Sequence, residues 1–177
     1  RFSELEARRT QAKALADEVK LLETKVEFLV QFKNALLAAQ ETLRRELIIA
    51  VNEVMNNTWN QIYPYDKWTS VRLNVDENDY VLQLKDVDGN FVNVAGFASG
   101  GERMLACLSL RIAFAKVMAP NLNILILDEP THNLDEKAIS TFVDVLRDNQ
   151  LGFLDQLFIV THDEKLAEAG ENVIRLK

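Results

Sequence analysis

Residues 124–131 read Ile-Leu-Ile-Leu-Asp-Glu-Pro-Thr, an apolar run that ends in two carboxylates and a proline. A short run of this kind, bounded by turn-forming residues, predicts a strand buried on both faces of a parallel sheet. In open parallel sheets ligands bind beyond the carboxyl ends of the strands, so Asp128 and Glu129 are predicted to lie at a ligand site. The alternative is that this acidic pair only caps the next turn.

The two carboxylates and one histidine suit different chemical tasks. Asp128 is suited to hold Mg²⁺, mainly through water, because this ion keeps several of its own water ligands. Glu129 is suited to orient or deprotonate an attacking water molecule. His162 follows a second apolar run, Gln156–Thr161, and is predicted to lie at the same edge of the sheet. A neutral imidazole there could contact a phosphate or the attacking water, although a lone histidine is by itself a weak indication.

The segments around these two strands predict an α/β body. Strands that alternate with helices imply parallel pairing through right-handed crossovers. The pattern predicts three helices, from Ser99 through Met118, from Asp135 to about Arg147 and from about Asp163, and a last strand at Asn172–Leu176. Upstream, three alternating segments predict an antiparallel meander with an Asp-Gly hairpin turn at Asp88-Gly89: Val71–Val75, Tyr80–Val87 and Phe91–Ala95.

A second candidate site is Ser99-Gly100-Gly101-Glu102, which opens the first predicted helix. A serine hydroxyl, two glycine amides and the helix dipole together favour an anion site suited to a phosphate. The same residues have the pattern of a capping box, with Ser99 as the N-cap and Glu102 closing it. Both can hold, because capping orders the amides that would meet the phosphate.

The first 63 residues contain neither glycine nor proline, and leucine recurs at every seventh position from Leu15 to Leu43. A second series, three or four residues away, completes the a and d positions of a heptad repeat, with Lys33 and Gln40 as polar interruptions. The pattern predicts one strand of a coiled coil; a long helix packed on its own body is the alternative. We therefore predict a coiled-coil helix over residues 1–63 and an α/β body over residues 64–177.

Net charge, apolar runs and cysteine content argue against several classes of protein. The 177 residues carry a net charge of −7, which gives no bulk attraction for nucleic acid. No apolar run approaches the ~20 residues that cross a bilayer, so we expect no membrane partner. With one cysteine in the chain, we expect a reduced, intracellular setting. The single cysteine, Cys107, excludes an intrachain disulfide and a multi-cysteine metal site, and is predicted to be a small core residue of its helix.

One motif is missing from the chain. No Gly-x-x-x-x-Gly-Lys-Ser/Thr sequence occurs, so there is no P-loop lysine to bind the β- and γ-phosphates of a nucleotide. Asp128 and Glu129 therefore lack the P-loop that usually accompanies such a pair in a nucleotide hydrolase. We predict that the chain supplies half of a nucleotide hydrolase and is inactive on its own.

Together these motifs resemble those of the ABC ATPases. Ser99-Gly100-Gly101-Glu102 resembles the signature motif, residues 124–131 the Walker B strand, Asn133-Leu134-Asp135 the D-loop and Thr161-His162-Asp163 the switch histidine. The match covers roughly residues 70–177. A coiled coil, not a Walker A motif, lies upstream of the signature, so the resemblance points to the SMC-like branch. Within that branch it is greatest to the Rad50 family of double-strand-break repair ATPases, of archaeal type.

The resemblance implies a role for each candidate residue. Asp128 would hold Mg²⁺ and Glu129 would be the general base. The signature Ser99–Glu102 would contact the γ-phosphate of ATP bound to the opposite protomer. His162 would sense that phosphate, and Asp135 would connect the two sites across the dimer.

The resemblance also implies partners, cofactors and a location. The amino-terminal half of the same protein would supply Walker A and the ascending coil, and ATP with Mg²⁺ would join two heads. The closed dimer would bind double-stranded DNA and control an Mre11-type nuclease that contacts the coil around residues 1–30. Arg111 matches a basic position linked to domain rotation, and zinc would bind only at a distant coil apex. The protein would act in the cytoplasm or nucleoid of an archaeon, or in a eukaryotic nucleus.

One alternative identity stays open. The chain could be the head half of an SMC-type chromosome-organising ATPase or of a related coiled-coil ATPase. Its partner would then be a kleisin-type bridging subunit, not a nuclease.

Overall fold

The computed structural model describes residues 1–76, 79–148, 151–152 and 154–175. The chain divides into two compact units, Arg1–Glu46 and Leu47–Lys177. Helix α1 spans Phe2–Ile62, so its residues belong to both units. The predicted unbroken helix is confirmed, as expected of a segment without glycine or proline. In the part of the chain that the structure describes, no helix is both long and apolar enough to span a bilayer.

In the first unit, the apolar side chains of the predicted heptad repeat face solvent. The leucines at d are between 52% and 66% exposed: Leu15, Leu22, Leu29, Leu36 and Leu43. An apolar stripe of this width on a helix is the surface that a second coiled-coil strand would cover. The coiled coil itself stays a prediction.

The core of the second unit is built around the last turns of α1. Val51, Met55, Trp59 and Ile62 lie on one face of the helix and are at most 1% exposed. Burial of each such side chain contributes about 1.5–3 kcal/mol. The helix ends just before Pro64, because the residue that precedes a proline is disfavoured in the helical conformation.

The predicted antiparallel meander is present. Strands β1 (Trp68–Asp76), β2 (Asp79–Asp86) and β3 (Phe91–Asn93) form a sheet in that order. The turn between β2 and β3 has Gly89 at φ 92°, and the Asp86 N–H donates to the Asn90 carbonyl at 2.9 Å. The third strand is shorter than predicted because the chain turns at α2 (Val94–Phe97), a single irregular turn in which Ala95 and Gly96 depart from helical backbone angles.

Two asparagines of α1 pair with the outer edge of this sheet. Asn52 accepts from the Leu73 N–H at 2.7 Å and donates to the Leu73 carbonyl at 3.0 Å. Asn56 accepts from the Val71 N–H at 3.0 Å. The asparagine side chains thus replace a neighbouring strand, which satisfies the backbone groups of β1 and blocks edge-to-edge pairing there.

The remaining elements form a parallel β-α-β unit and its flanking helices. Helix α3 (Gly100–Met118) leads to β4 (Ile124–Asp128), and α4 (Glu136–Arg147) connects β4 to β5 (Gln156–Val160). The two strands pair in parallel, with Asp128 beside Val160. Helix α5 (Glu164–Glu168) follows β5. The predicted α/β class and its three helices are confirmed.

Two details of the prediction are wrong. The strands β4 and β5 are buried on one face only: Ile126 is 68% exposed and Phe158 is 55% exposed. In the described residues the other face of these two strands carries no covering layer, so every second apolar side chain faces solvent. Residues 172–175 form no strand, and Leu176 lies outside the described residues.

Candidate functional site

Both carboxylates of the Asp-Glu pair lie at the carboxyl end of β4. Asp128 is the last residue of the strand and is exposed. Glu129 follows with φ 45°, and its N–H donates to the Val160 carbonyl at 2.9 Å. A left-handed backbone at a residue other than glycine costs about 1–3 kcal/mol, and here the hydrogen bond to β5 holds it in place. The bend sets the direction of the Glu129 carboxylate.

His162 lies at the same edge of the sheet as Glu129, as predicted, and the two side chains are in contact. Nδ1 of His162 lies 2.8 Å from Oε2 of Glu129, which forms an ion pair when the imidazole is protonated. The hydrogen bond to Glu129, followed by the charge of the same carboxylate, raises the pKa of His162. The imidazole remains 82% exposed, so it is accessible to a ligand at this edge of the sheet.

The loop that follows Glu129 is compact. Pro130 and Thr131 are buried, and the Leu134 N–H donates to the Thr131 carbonyl at 3.0 Å. Asn133 adopts φ 64°, which turns the chain toward α4. Asp135 then caps α4, because its Oδ1 accepts from the Ala138 N–H at 2.9 Å.

The predicted capping box at the start of α3 is observed. The Ser99 hydroxyl accepts from the Glu102 N–H at 3.2 Å, and the Ser99 N–H donates to Oε2 of Glu102 at 2.7 Å. Ser99 and Gly100 are both exposed. The first amides of a helix have no acceptor within the helix, so this end offers N–H donors and a positive dipole to an anion.

The glycines of this motif also serve a contact that the sequence did not predict. A Cβ on Gly101 would lie 2.9 Å from the Asn133 carbonyl oxygen, and one on Gly100 would lie 3.5 Å from Asn133 Cβ. The start of α3 therefore packs directly on the loop between β4 and α4. Only glycine at position 101 permits the helix to approach the Asn133 carbonyl this closely.

Two residues of the site were missed by sequence reasoning: Tyr65 and Lys67. The Tyr65 hydroxyl donates to Oδ2 of Asp135. Lys67 Nζ lies 3.1 Å from Oε1 of Glu102, and the lysine is 57% exposed. Both residues follow Pro64 in an irregular segment, where no periodicity or motif in the sequence marks them.

These contacts shift the pKa values of the groups involved. Partial burial, the hydrogen bond to Asp135 and nearby carboxylates raise the pKa of Tyr65 to about 12. The hydrogen bond from Tyr65, followed by that from the Ala138 N–H, lowers the pKa of Asp135. Burial opposes ionisation of Glu102, but hydrogen bonds from Ser99 and Lys67 lower its pKa below the usual value. Both carboxylates are therefore ionised at neutral pH.

A magnesium ion at Asp128 would need further ligands to complete its coordination. Among the described residues, no group of three or more histidine, cysteine or acidic side chains could hold a metal. One exposed carboxylate is nevertheless enough for Mg²⁺ when waters and substrate phosphates complete the octahedron. Arg111 and Cys107 both lie on α3; Arg111 is exposed and Cys107 is half-buried.

Known proteins resemble the chain in sequence, although no protein-family model matches it. It is 35% identical over 140 residues to the DNA double-strand break repair Rad50 ATPase of Sulfurisphaera tokodaii, which covers 78% of this chain and 16% of that protein. The protein of the same name from Thermococcus kodakarensis is 32% identical over 139 residues, 78% of this chain and 15% of that protein. The DNA repair protein rad-50 of Caenorhabditis elegans is 28% identical over 84% of this chain and 13% of its own length. The chain therefore spans less than a fifth of the length of each relative.

Solved structures of SMC heads share the fold. The Smc head domain with a coiled coil and joint from Pyrococcus yayanosii has a TM-score of 0.67 at 17% identity, over 87% of this chain and 29% of that one. The Smc head domain of Pyrococcus furiosus, bound to the C-terminal domain of ScpA, has a TM-score of 0.65 at 17% identity, over 86% of this chain and 38% of that one. At these identities the likeness concerns the fold alone. By sequence, the chain resembles part of the carboxy-terminal half of the Rad50 repair ATPases.

Proposed function

We propose that this chain is one half of an ATPase head that acts in DNA double-strand-break repair. The observation that carries the proposal is the pairing of Glu129 with His162, at the carboxyl ends of two adjacent parallel strands. A carboxylate that can accept a proton and a histidine that can contact phosphate thus share one site. The relatives named as Rad50 repair ATPases supply the reaction and its setting.

In this proposal, the residues at the end of β4 carry out hydrolysis. Glu129 accepts a proton from the water that attacks the γ-phosphate, and His162 orients the Glu129 carboxylate and contacts that phosphate. Asp128 holds Mg²⁺, largely through water. When bound with ATP, the ion neutralises charge on the phosphates.

The start of α3 acts on a second ATP molecule. Ser99, Gly100 and Gly101 present a hydroxyl, backbone amides and the positive end of a helix dipole, which suit the γ-phosphate of ATP held by the opposite head. Glu102 closes the capping box and keeps these amides in place. Asp135 lies on the loop that packs against the signature and would connect the two nucleotide sites of the dimer.

The amino-terminal half of the same protein is the first partner. It would supply the P-loop lysine that this sequence lacks. The open face of β4 and β5 supports this pairing, because Ile126, Phe158 and Val160 are each more than half exposed. An apolar sheet face of this kind is stable only when another layer covers it. The chain alone would therefore be inactive.

The remaining proposed partners are a nuclease, which would contact the coil, and double-stranded DNA, which would bind the closed dimer. In the first unit, Leu21, Phe28 and Phe32 lie outside the a and d positions, are 55–65% exposed and include a stacked pair, Phe28 on Phe32. This second apolar surface supports a contact with an Mre11-type nuclease near the base of the coil. ATP-driven closure of two heads would then control that nuclease and create a surface for double-stranded DNA.

A second candidate function is that of an SMC-type chromosome-organising head. The structural likeness to Smc heads favours it, and one of those heads is bound to the C-terminal domain of ScpA. The sequence relatives favour the repair ATPase. The partner that co-purifies with the complete protein would distinguish the two, since a nuclease indicates repair and a ScpA-like bridging protein indicates chromosome organisation.

The test is ATP hydrolysis by this chain alone and after co-expression with the amino-terminal half of the same protein. We expect turnover and ATP-dependent dimers only for the co-expressed pair. Activity of this chain alone would contradict the division of the site between two halves. A correctly folded pair that neither binds nor hydrolyses ATP would contradict the ATPase proposal as a whole.

A further inference from the structure

The segment between α1 and β1 contacts two parts of the candidate site, the loop before α4 and the first turn of α3. Tyr65 donates to Asp135, on the loop before α4. Lys67 pairs with Glu102, in the first turn of α3. Tyr65 lies three residues after the end of α1 and Lys67 one residue before β1 begins. Neither residue belongs to the sequence motifs that define the site.

The Tyr65 hydroxyl completes the environment of the Asp135 carboxylate. One oxygen of Asp135, Oδ1, accepts from the Ala138 N–H at 2.9 Å and caps α4. The other oxygen, Oδ2, accepts from Tyr65. The hydrogen bond from Tyr65 therefore adds a second restraint to the one that the cap places on this carboxylate.

The Tyr65 ring is itself held by the buried end of α1. It meets the Tyr63 ring edge-on, with 5.3 Å between centroids, and Tyr63 stacks on Trp59 at 4.2 Å. Trp59 is 1% exposed and Tyr63 is 8% exposed, so both rings are fixed in the core. Lys137 Nζ also lies over the Tyr65 ring, 4.8 Å from its centroid. The row of rings connects a rigid part of the fold to Asp135.

We propose that Tyr65 is a positioning residue that holds the Asp135 carboxylate, and with it the loop between β4 and α4, in the orientation needed for ATP turnover. The proposal rests on the proposed ATPase function and adds a residue to it. In this role Tyr65 acts through Asp135 and is not itself a catalytic residue. Loss of the Tyr65 hydroxyl would slow ATP turnover without weakening the binding of ATP to a single head.

The test uses the co-expressed pair of halves and the variant Tyr65→Phe, which removes only the hydroxyl. We expect kcat to fall about fivefold or more, a typical size for coupling between sites, with KM for ATP little changed. Deuterium uptake by residues 131–138 should become faster, because the Asp135 cap on the Ala138 N–H loosens. The matched control is Tyr80→Phe, which removes an exposed hydroxyl from β2 and should change neither quantity.

A double-mutant cycle with Asp135→Asn tests whether Tyr65 acts through Asp135. In the Asp135→Asn background, Tyr65→Phe should have little further effect on turnover. Losses that multiply would overturn the proposal. So would unchanged deuterium uptake, or faster uptake with unchanged turnover, since the latter would make the contact merely structural.

The deuterium measurement separates this proposal from the ATPase proposal. If the wild-type pair hydrolyses no ATP, the proposed function fails, and with it the role of Tyr65 in turnover. If deuterium uptake in Tyr65→Phe were nevertheless faster, the hydroxyl would be shown to hold Asp135. Only the ATPase proposal would then be wrong.

Discussion

His162 faces Glu129 across the carboxyl ends of two neighbouring parallel strands, with 2.8 Å between Nδ1 and Oε2. The strand pairing places Asp128 beside Val160. Glu129 directly follows Asp128, and His162 lies two residues after Val160. The contact therefore follows from the register of β4 with β5. A shift of one residue in this register would turn every side chain of one strand to the other face and separate the pair.

Glu129→Gln should strongly slow hydrolysis by the co-expressed pair while ATP still joins two heads. The amide keeps the size of the side chain but cannot accept a proton from water, so turnover should fall by about 10²–10⁴-fold. ATP hydrolysis and light scattering with ATP would measure both effects. Glu168→Gln, at the exposed end of α5, is the control and should keep normal turnover. Normal turnover in Glu129→Gln would exclude Glu129 as the base.

Glu129→Gln should also lower the pKa of His162 toward its usual value, because the carboxylate that raises it is gone. The chain has only two histidines, so NMR titration with a His132→Gln variant assigns both signals. A raised pKa in the folded state means that the pair contributes to stability below the unfolded pKa. That contribution is lost as pH rises through the folded pKa. An unchanged His162 pKa in the variant would contradict the pairing.

Ser99→Arg should block ATP-driven dimerisation while a single head still binds ATP. A long cation at the N-terminus of α3 would occupy the space that a second head's phosphate needs and would oppose the helix dipole. Loss of the cap also costs about 1 kcal/mol. Ser99→Asn keeps a capping side chain, so its thermal stability is the reference for that cost. If Ser99→Arg instead abolished binding by the single head, the signature would not act on the opposite protomer.

Gly101→Ala should lower stability more than Gly100→Ala does. The new methyl group at position 101 would lie 2.9 Å from a backbone oxygen of Asn133, so the loop or the helix must move. Such overpacking costs about 1–3 kcal/mol. At position 100 the nearest atom is 3.5 Å away, an ordinary contact, so that variant should be close to neutral. Chemical unfolding of both variants would test this, and equal stabilities would contradict the close approach.

Sequence reasoning was accurate where the determinants are local. The helix over Phe2–Ile62 follows from the absence of glycine and proline, and the capping box at Ser99 from residues three positions apart. The positions of Asp128 and His162 at strand ends follow from apolar runs and one topological rule. It failed for the burial of β4, because an apolar run does not specify which face its own chain covers.

Local sequence patterns account for most of the elements, their order and the motifs at their ends, because capping and helix continuity depend on neighbours along the chain. The exceptions are α2 and the strand predicted at Asn172–Leu176, of which residues 172–175 form no strand. The close approach of Gly101 to Asn133 and the hydrogen bond from Tyr65 to Asp135 depend instead on tertiary packing. Those contacts join residues far apart in sequence and depend on how α1, α3 and α4 pack around a shared core. No local pattern encodes such a distance, so the rigid support of the site became visible only once the elements were assembled.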